Sequence, residues 1–272
     1  MKRRIFQWLG HPARQAGLLL VTLTLLLVVI WLITHQRIDL ERRETQAAEF
    51  RGNDNLALAY EERSLRLLKT FDQLLVAMRN ETGRTGHLAD IHRELKSLGL
   101  ASNAVRISGV LDTRAKVTAL AGGHDPAAYD PGDLSGVFVN PEDVLYIARA
   151  SKGERGDQGL LPLVRKFRGP DGAWAGAVFI AVDRRLFVAL YDEVSLTPDT
   201  LLDLVGLEGF SRVRRQGNVI ESDIDWRAQD LIRQQALQPS AHYLATTQPD
   251  GVARFVSFRT LPGYPLIAVV GS

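Results

Sequence analysis

The sequence predicts an α+β protein. A membrane-spanning helix runs on into a long stalk helix, and two antiparallel-sheet modules follow in tandem. Three observations predict it. From Ala16 to Thr34 the chain reads AGLLLVTLTLLLVVIWLIT, with no charged residue. From about Gln36 to Glu81 no proline interrupts a helical pattern. The hairpin-like stretch RKFRGPDGAWAGAVFIAVD, starting at Arg165, has a counterpart in YLATTQPDGVARFVSFRT, starting at Tyr243.

The first segment sets the class. At 1.5 Å per residue, about 19 residues cross the roughly 30 Å hydrocarbon core of a bilayer. A cleaved signal peptide is the alternative. The apolar run is longer than the usual core of such a peptide, and THQRIDLERR beyond it offers no small-x-small cleavage site. Trp8 and Trp31 fall near the two interfaces. Lys2, Arg3, Arg4 and Arg14 precede the span; Arg37, Arg42 and Arg43 follow it among Glu41 and Glu44. The basic N-terminus therefore belongs in the cytoplasm. The chain is expected to cross the membrane once, with residues after about 35 outside.

The second segment is the stalk. Tyr60, Leu67 and Leu74 recur at heptad spacing, with Ser64, Phe71 and Met78 offset from them. Two readings stand open: a dimer seam through Tyr60, Leu67, Phe71, Leu74 and Met78, which makes a homodimer the expected state, or a helix packed on its own domain. Gly52-Asn53-Asp54-Asn55 marks a candidate kink. A straight helix of about 45 residues would reach about 65 Å.

The remainder changes period. A short helix is expected from His87 to Leu98, with Leu88, Ile91, Leu95 and Leu98 apolar. AVRISGVLD and AKVTAL alternate as strands, and the Gly/Pro/Asp-rich segment from Gly122 to Glu142 reads as loop. LYIARA, LLPLVRKFR and WAGAVFIAVD are strands, the last two joined by the Pro-Asp-Gly turn; a helix from Arg184 to Val194 closes the block. The second block has LLDLVGLEG paired with FSRVRRQGNVIES. A helix from Ala228 to Leu237 follows, then HYLATTQ, ARFVSFRTL and PLIAVVGS. The order strand pair, loop or helix, hairpin and strand thus occurs twice, as in PAS-like modules. The expected boundaries are 1–15 cytoplasmic, 16–35 transmembrane, 36–82 stalk, 83–195 membrane-distal module and 196–272 membrane-proximal module.

Composition excludes several function classes. The chain has 272 residues, a net charge of +2 and no cysteine. The charge is too small to favour nucleic acid, and thiol nucleophiles, disulfides and thiolate metal sites are impossible. No G-x-S-x-G elbow, P-loop, H-E-x-x-H or C-x-x-C occurs. His87 and His92 do not share a helix face at i,i+4, and His124-Asp125 sits in a Gly/Pro loop, so no metal or cofactor is expected. Glu142-Asp143 after Pro141 reads as a helix start rather than a catalytic pair. The chain as given is not expected to be an enzyme.

The chemistry that stands out is basic. Arg149, Arg165, Lys166 and Arg168 lie on adjacent strands, with Tyr146, Phe167 and Asp183 near them. Guanidinium forks suit carboxylate or phosphate. Tyr146, Arg149, Arg165, Phe167 and Asp183 are therefore the candidate ligand set for a small molecule. Strand alternation puts Arg165 and Phe167 on one side and Lys166 and Arg168 on the other, so at most half of the cluster faces one pocket. A solvated charged face is the alternative for each cation, and Asp183 serves equally as a helix cap. Trp174 and Tyr264 open final strands and read as core; Gly176 reads as a point of close backbone approach.

In motif order the chain resembles the double Cache (PDC-type) periplasmic sensor regions of bacterial GGDEF/EAL-type signalling proteins. The distal module of that family has an IGRP-like strand, a basic strand and a DG-x-F-A-G-V-V strand. Here Ile147-Ala148-Arg149-Ala150, Arg165-Lys166 and Asp171-Gly172-Ala173-Trp174-Ala175-Gly176-Ala177-Val178 take those places. Its proximal module ends in a DG turn, an sYR-x-L strand and a YPL-x-V strand, matched by Asp250-Gly251, Ser257-Phe258-Arg259-Thr260-Leu261 and Tyr264-Pro265-Leu266-Ile267-Ala268-Val269. The chain departs at Asp133-Leu134-Ser135-Gly136-Val137-Phe138-Val139, where the family's Arg-x-Tyr-Phe arginine is absent. The amino-acid-binding pattern is also absent apart from its acidic position, matched by Asp183. The resemblance implies a ligand-binding distal module, a second membrane helix after Ser272 and a cytoplasmic output domain, which makes the chain a fragment of a longer protein. The implied output is a diguanylate cyclase or cyclic-di-GMP phosphodiesterase, with a histidine kinase or chemoreceptor as the alternative. An anchored interaction module and an anchored enzyme are the rivals outside sensing.

Overall fold

The computed structural model describes residues 10–85, 104–123, 125–132, 134–139, 141–149, 159–193, 196–246 and 248–272. The chain divides into two compact units, Met1–Glu49 and Phe50–Ser272. Helix α1 (Gly10–Thr85) supplies the described part of the first unit and the opening segment of the second. In the first unit the helix carries an apolar stretch long enough to cross a membrane. Its side chains are exposed all round, as a lipid-facing helix requires: Leu20 is 64% and Trp31 63% exposed. Lys2, Arg3, Arg4 and Trp8 lie outside the described residues, as does the helix expected from His87 to Leu98.

The second unit contains two antiparallel sheets. In the distal one, β1 (Val105–Leu111), β2 (Val117–Leu120), β3 (Tyr146–Ile147), β4 (Leu160–Arg168) and β5 (Trp174–Asp183) run in the order β2-β1-β5-β4-β3. In the proximal one, β6 (Leu201–Gly206), β7 (Ser211–Gln216), β8 (Val219–Glu221), β9 (Ser240–Ala245), β10 (Arg254–Thr260) and β11 (Leu266–Gly271) run β8-β7-β6-β11-β10-β9. In each, the strand that follows the Pro-Asp-Gly turn, β5 or β10, pairs on both sides within the sheet. The two turns are alike atom by atom. Gly172 N donates to Gly169 O and Gly251 N to Gln248 O. Asp171 Oδ1 accepts from Ala173 N and Asp250 Oδ1 from Val252 N, both at 3.1 Å. Gly172 and Gly251 take φ of 78° and 77°, a backbone region that side-chain-bearing residues avoid.

The strands LLPLVRKFR and WAGAVFIAVD form as β4 and β5. Of LYIARA, Tyr146 and Ile147 form the strand β3, and Ala148 N donates to Pro162 O of β4 at 3.0 Å. The expected helix from Arg184 to Val194 is instead a 3-10 turn, Arg184–Val188, followed by the single-turn α2 (Leu190–Glu193); Val194 lies outside the described residues. Helix α3 (Asp230–Leu237) covers the outer side of the proximal sheet, where Leu231 and Trp226 join a core with Val205, Val256 and Phe258.

From Phe50 on, α1 packs against the inner faces of both sheets. Ala57, Tyr60, Leu68, Phe71, Leu74, Leu75 and Met78 are fully buried. They form one core with Leu161, Leu163 and Ile180 of the distal sheet and Leu202, Leu204 and Ala268 of the proximal sheet. Of the two readings of the heptad pattern, the dimer seam is therefore corrected. Tyr60, Phe71, Leu74 and Met78 have no surface to offer a second copy, and Leu67 packs at the margin of the same core. The apolar stripe is spent within the chain, each large side chain contributing about 1.5–3 kcal/mol by leaving water.

The candidate kink at residues 52–55 is helical in the structure, as part of α1. Asn53 has another role. It is 5% exposed, and its Nδ2 donates to Phe255 O at 2.8 Å and Ser272 Oγ at 2.9 Å, fixing the helix to the end of β10. Asn53→Ala removes both bonds and leaves a buried carbonyl underserved. The expected cost is about 1–2 kcal/mol in a urea melt with unchanged m-value; a change within experimental error would show that the contact contributes nothing.

Candidate ligand-binding site

The distal sheet has a second, outer apolar layer. Leu111, Val117, Val164, Ala177 and Phe179 point away from α1, and Leu134 and Val137 pack on them. This cover comes from the segment read as loop. Two Asp-Pro steps shape it: Asp125 Oδ1 accepts from Ala127 N and Asp130 Oδ1 from Gly132 N, each at 2.9 Å. Tyr129 stacks on Phe179 with centroids 5.7 Å apart and planes at 8°. Between this cover and the β2 edge lies an open cavity of about 520 Å³. Its walls include Lys116, Thr118, Asp125, Tyr129 and Asp130, so one cation, two carboxylates, a hydroxyl and an aromatic face converge there. Sequence reasoning missed these residues. The available signal was the Asp-Pro pair, each aspartate bound to its own backbone.

The expected ligand set divides. Tyr146 belongs to the outer layer, and its ring end lies against Gly136, where an added Cβ would sit 2.8 Å from the hydroxyl. Phe167 packs on the opposite side, against the core that α1 closes. Arg165 also faces α1. Its Nε and Nη2 grip the two oxygens of Asp72 at 2.6 and 2.8 Å, and Nη1 reaches Asp143 Oδ1 at 3.0 Å. Arg149 turns to the proximal module: it pairs with Asp223 at 2.6 Å and lies 3.8 Å over the Phe210 ring. Asp183 caps the 3-10 turn by accepting from Arg185 N at 3.0 Å. Hydrogen bonds from the Arg185 side chain hold its carboxyl below the usual carboxylate range, and Arg106 at 3.8 Å adds to this. Arg149, Arg165 and Asp183 are thus spent on the fold. The five residues do not line one pocket.

Solved structures share the fold. The chain is similar to the extracellular domain of a protein named as the histidine kinase rpHK1S-Z16, at 18% identity and a TM-score of 0.65, over 86% of this chain and 95% of that one. It is similar to the periplasmic sensory domain of the Campylobacter jejuni chemoreceptor Tlp1, at 11% identity and a TM-score of 0.57, over 85% of this chain and 95% of that one. The fold is that of extracellular sensory domains. A third structure, the ligand-binding domain of the Pseudomonas fluorescens chemoreceptor CtaA in complex with L-isoleucine, matches at 13% identity and a TM-score of 0.52, over 85% of this chain and 94% of that one. No protein-family model and no curated protein matches the chain.

A second concavity of the distal module lies where the last turns of α1 meet the β4–β5 hairpin. It measures about 370 Å³ and is bordered by Arg79, Asp143, Lys166, Phe167, Arg168 and Trp174. Here Lys166 is 3% exposed, with Nζ 4.2 Å from the Trp174 ring centroid. Burial lowers the pKa of its ammonium. Arg168 approaches the same ring with Cζ at 3.9 Å, and its Nη1 donates to Gly172 O at 2.6 Å.

Proposed function

We propose that the chain is the extracytoplasmic ligand-sensing region of a bacterial inner-membrane signalling protein. The apolar stretch of α1 anchors it, and a small molecule binds on the outer side of the distal sheet, in the cavity beside Lys116, Thr118 and Tyr129. The observation that carries this reading is the extent of the likeness: it takes in about 85% of this chain and nearly the whole of each sensory domain compared. The cavity is of the size that holds a small ligand, and its mix of one cation, two carboxylates and an aromatic face suits a zwitterion of amino-acid type. A signal requires that the ligand bind two states of the region with different affinity. α1 is the natural carrier of that difference, since its side chains share a core with both sheets.

As the output that such a region would serve, the motif order of the two modules supports a diguanylate cyclase or cyclic-di-GMP phosphodiesterase. A histidine kinase or chemoreceptor output is the second reading, favoured by the proteins from which the compared domains come. The reading frame beyond the codon for Ser272 distinguishes them.

Thermal unfolding of the full chain in lipid nanodiscs, screened against amino acids, carboxylates, amines and nucleotides, tests the sensing role. One compound class is expected to raise the melting temperature by several degrees, because ligand at about 100 times Kd stabilises by about 2.7 kcal/mol. Lys116→Gln or Tyr129→Ala is expected to abolish that shift. If no small molecule shifts the melt while a protein partner does, the region is an interaction module instead.

A further inference from the structure

The outer face of the proximal sheet, in the module that does not hold the ligand cavity, buries a polar cluster. Asp203 lies in the middle of β6 with no exposed surface. Ser211 Oγ and Trp226 Nε1 donate to its Oδ2 at 2.7 and 2.9 Å, while its Oδ1 has no hydrogen-bond partner among the described residues. Directly across on β7 stands Arg214, 4% exposed. Its Nη2 donates to Asp250 Oδ2 at 2.6 Å rather than to Asp203. Asp250 belongs to the second Pro-Asp-Gly turn, between β9 and β10. The same oxygen accepts from Arg254 Nη1 at 2.7 Å.

Arg214 thus stands beside two carboxylates and serves one of them. The other neighbours of Asp203 cannot replace it. Val269, its partner on β11, is apolar, and α3 and β9 turn Leu231 and Tyr243 to the same core. Glu221 on β8 opposes a negative charge on Asp203, and Arg214 favours it. Tyr60 of α1 feels that charge from the other side of the sheet. An ionised carboxylate buried in this way needs donors for both oxygens, whereas a neutral one does not. The arrangement seen therefore suits the protonated acid. Losing the proton puts charge on an oxygen that no donor serves. Cross-strand neighbours on one face stand about 5 Å apart at Cβ, so the Arg214 guanidinium reaches Asp203 without moving the backbone. Arg254 is left to hold Asp250. Burial pushes the Asp203 carboxyl up to about 7, so both protonation states are populated near neutral pH.

We propose that the proximal module carries a proton-operated switch: with Asp203 protonated, Arg214 clamps the β9–β10 turn through Asp250, and when Asp203 ionises, Arg214 turns to its Oδ1 and releases the turn. The proton passes to solvent, and no covalent bond other than that O–H changes. The turn leads into β10 at Arg254. The next residue, Phe255, pairs with Ser272 through both its N–H and its C=O, at 3.0 and 3.1 Å, and its oxygen also accepts from Asn53 Nδ2 of α1. Release of the turn therefore acts where α1, β10 and β11 are tied together. This is an input of pH, and it holds or fails independently of the ligand-sensing role proposed above.

The test is a pH titration of the full chain in lipid nanodiscs with two reporters. The first is Trp226 itself, because indole emission shifts when a charge appears at its N–H; Trp8, Trp31 and Trp174 are replaced by Phe. The second is a nitroxide on Val252→Cys, an exposed position at the turn, in a chain with no other cysteine. Trp226 emission is expected to shift with a midpoint of about 7, and the label to become more mobile over the same range as pH rises. Asp203→Asn is expected to abolish both transitions and to leave the label in its low-pH state. Arg214→Gln is expected to move the Trp226 midpoint upward, because the cation that favours the charged form is gone, and to leave the label mobile at every pH. Should Arg214→Gln fail to fold, the parent chain and Asp203→Asn decide. Three results overturn the proposal: Trp226 emission that stays flat across about pH 5–9, roughly two units either side of the expected midpoint; a transition that persists in Asp203→Asn; or a Trp226 transition with no change at the label.

Discussion

Replacing Asp203 by Asn is expected to raise the melting temperature strongly at pH 8 and to leave it nearly unchanged at pH 4. Asp203 sits in the middle of β6 with no exposed surface. Ser211 Oγ and Trp226 Nε1 both donate to its Oδ2, at 2.7 and 2.9 Å. Its Oδ1 is buried with no partner among the described residues. Arg214, its cross-strand neighbour on β7, favours the charged form, but Arg214 and Arg254 both donate to Asp250 Oδ2, at 2.6 and 2.7 Å. Burial prevails and pushes the Asp203 carboxyl up to about 7, from an ordinary value of 3.8.

The folded chain therefore holds this proton more tightly than the unfolded chain does. Below pH 3.8 both states are protonated and nothing is lost. As pH rises from about 4 to 7 the unfolded state ionises first, and stability falls until the folded pKa is passed. Three units correspond to about 4 kcal/mol, or roughly 10 °C for a unit of this size. Asparagine keeps an acceptor for Ser211 and Trp226 and carries no charge. Carboxylates held low, such as Asp183 and Asp250, act in the opposite sense. The decisive quantity is thus the difference between variant and wild type across pH 4–8. Parallel melting curves over that range would refute the assignment.

Truncating Arg165 is the second large effect. Arg165→Ala leaves Asp72 on α1 without its guanidinium, and Asp143 on the loop before β3 with only that of Arg79. The Arg165 and Asp72 side chains are 14% and 20% exposed, so water replaces the lost bonds only in part. Removing one member of a buried pair costs about 3–5 kcal/mol, and the partial exposure here puts the expected loss at the lower end, about 3 kcal/mol. Asp72→Ala is expected to cost somewhat less, because Asp143 still holds the arginine. The double substitution should cost less than the sum of the two, by about 1–3 kcal/mol, as contacting residues do. Urea melts of the four proteins measure it. Additive losses would mean that the fork seen between Nε, Nη2 and the two Asp72 oxygens contributes no coupling.

Much of the architecture was legible in the sequence. The Asp-Gly turn between two strand-like runs placed β4 and β5, because that signal is local. The two Pro-Asp-Gly turns announced a duplicated hairpin, because an Asx turn followed by a positive-φ glycine is written in three adjacent residues. The uncharged run from Ala16 to Thr34 needed only length and composition. The candidate site was far less legible. Arg165 and Phe167 were correctly assigned to one face of β4, but nothing local says which face α1 covers. Asp72 stands 93 residues away, on a helix whose stripe suits a coiled coil as well as an intramolecular core.

The sequence by itself determined where the strands and turns fall, which residues share a face, and that one segment is apolar enough for a bilayer. Those properties follow from bonds and side chains a few residues apart. Only the tertiary structure decided what each face meets. It set α1 against the inner sides of both sheets, committing Arg149, Arg165 and Asp183 to ion pairs and turning the Tyr60–Met78 stripe into core. It laid the Asp-Pro cover, with Tyr129 stacked on Phe179, over the outer layer of the distal sheet. The reason is physical: a charge is available to a ligand only if no partner has been brought to it, and such partners arrive from distant parts of the chain.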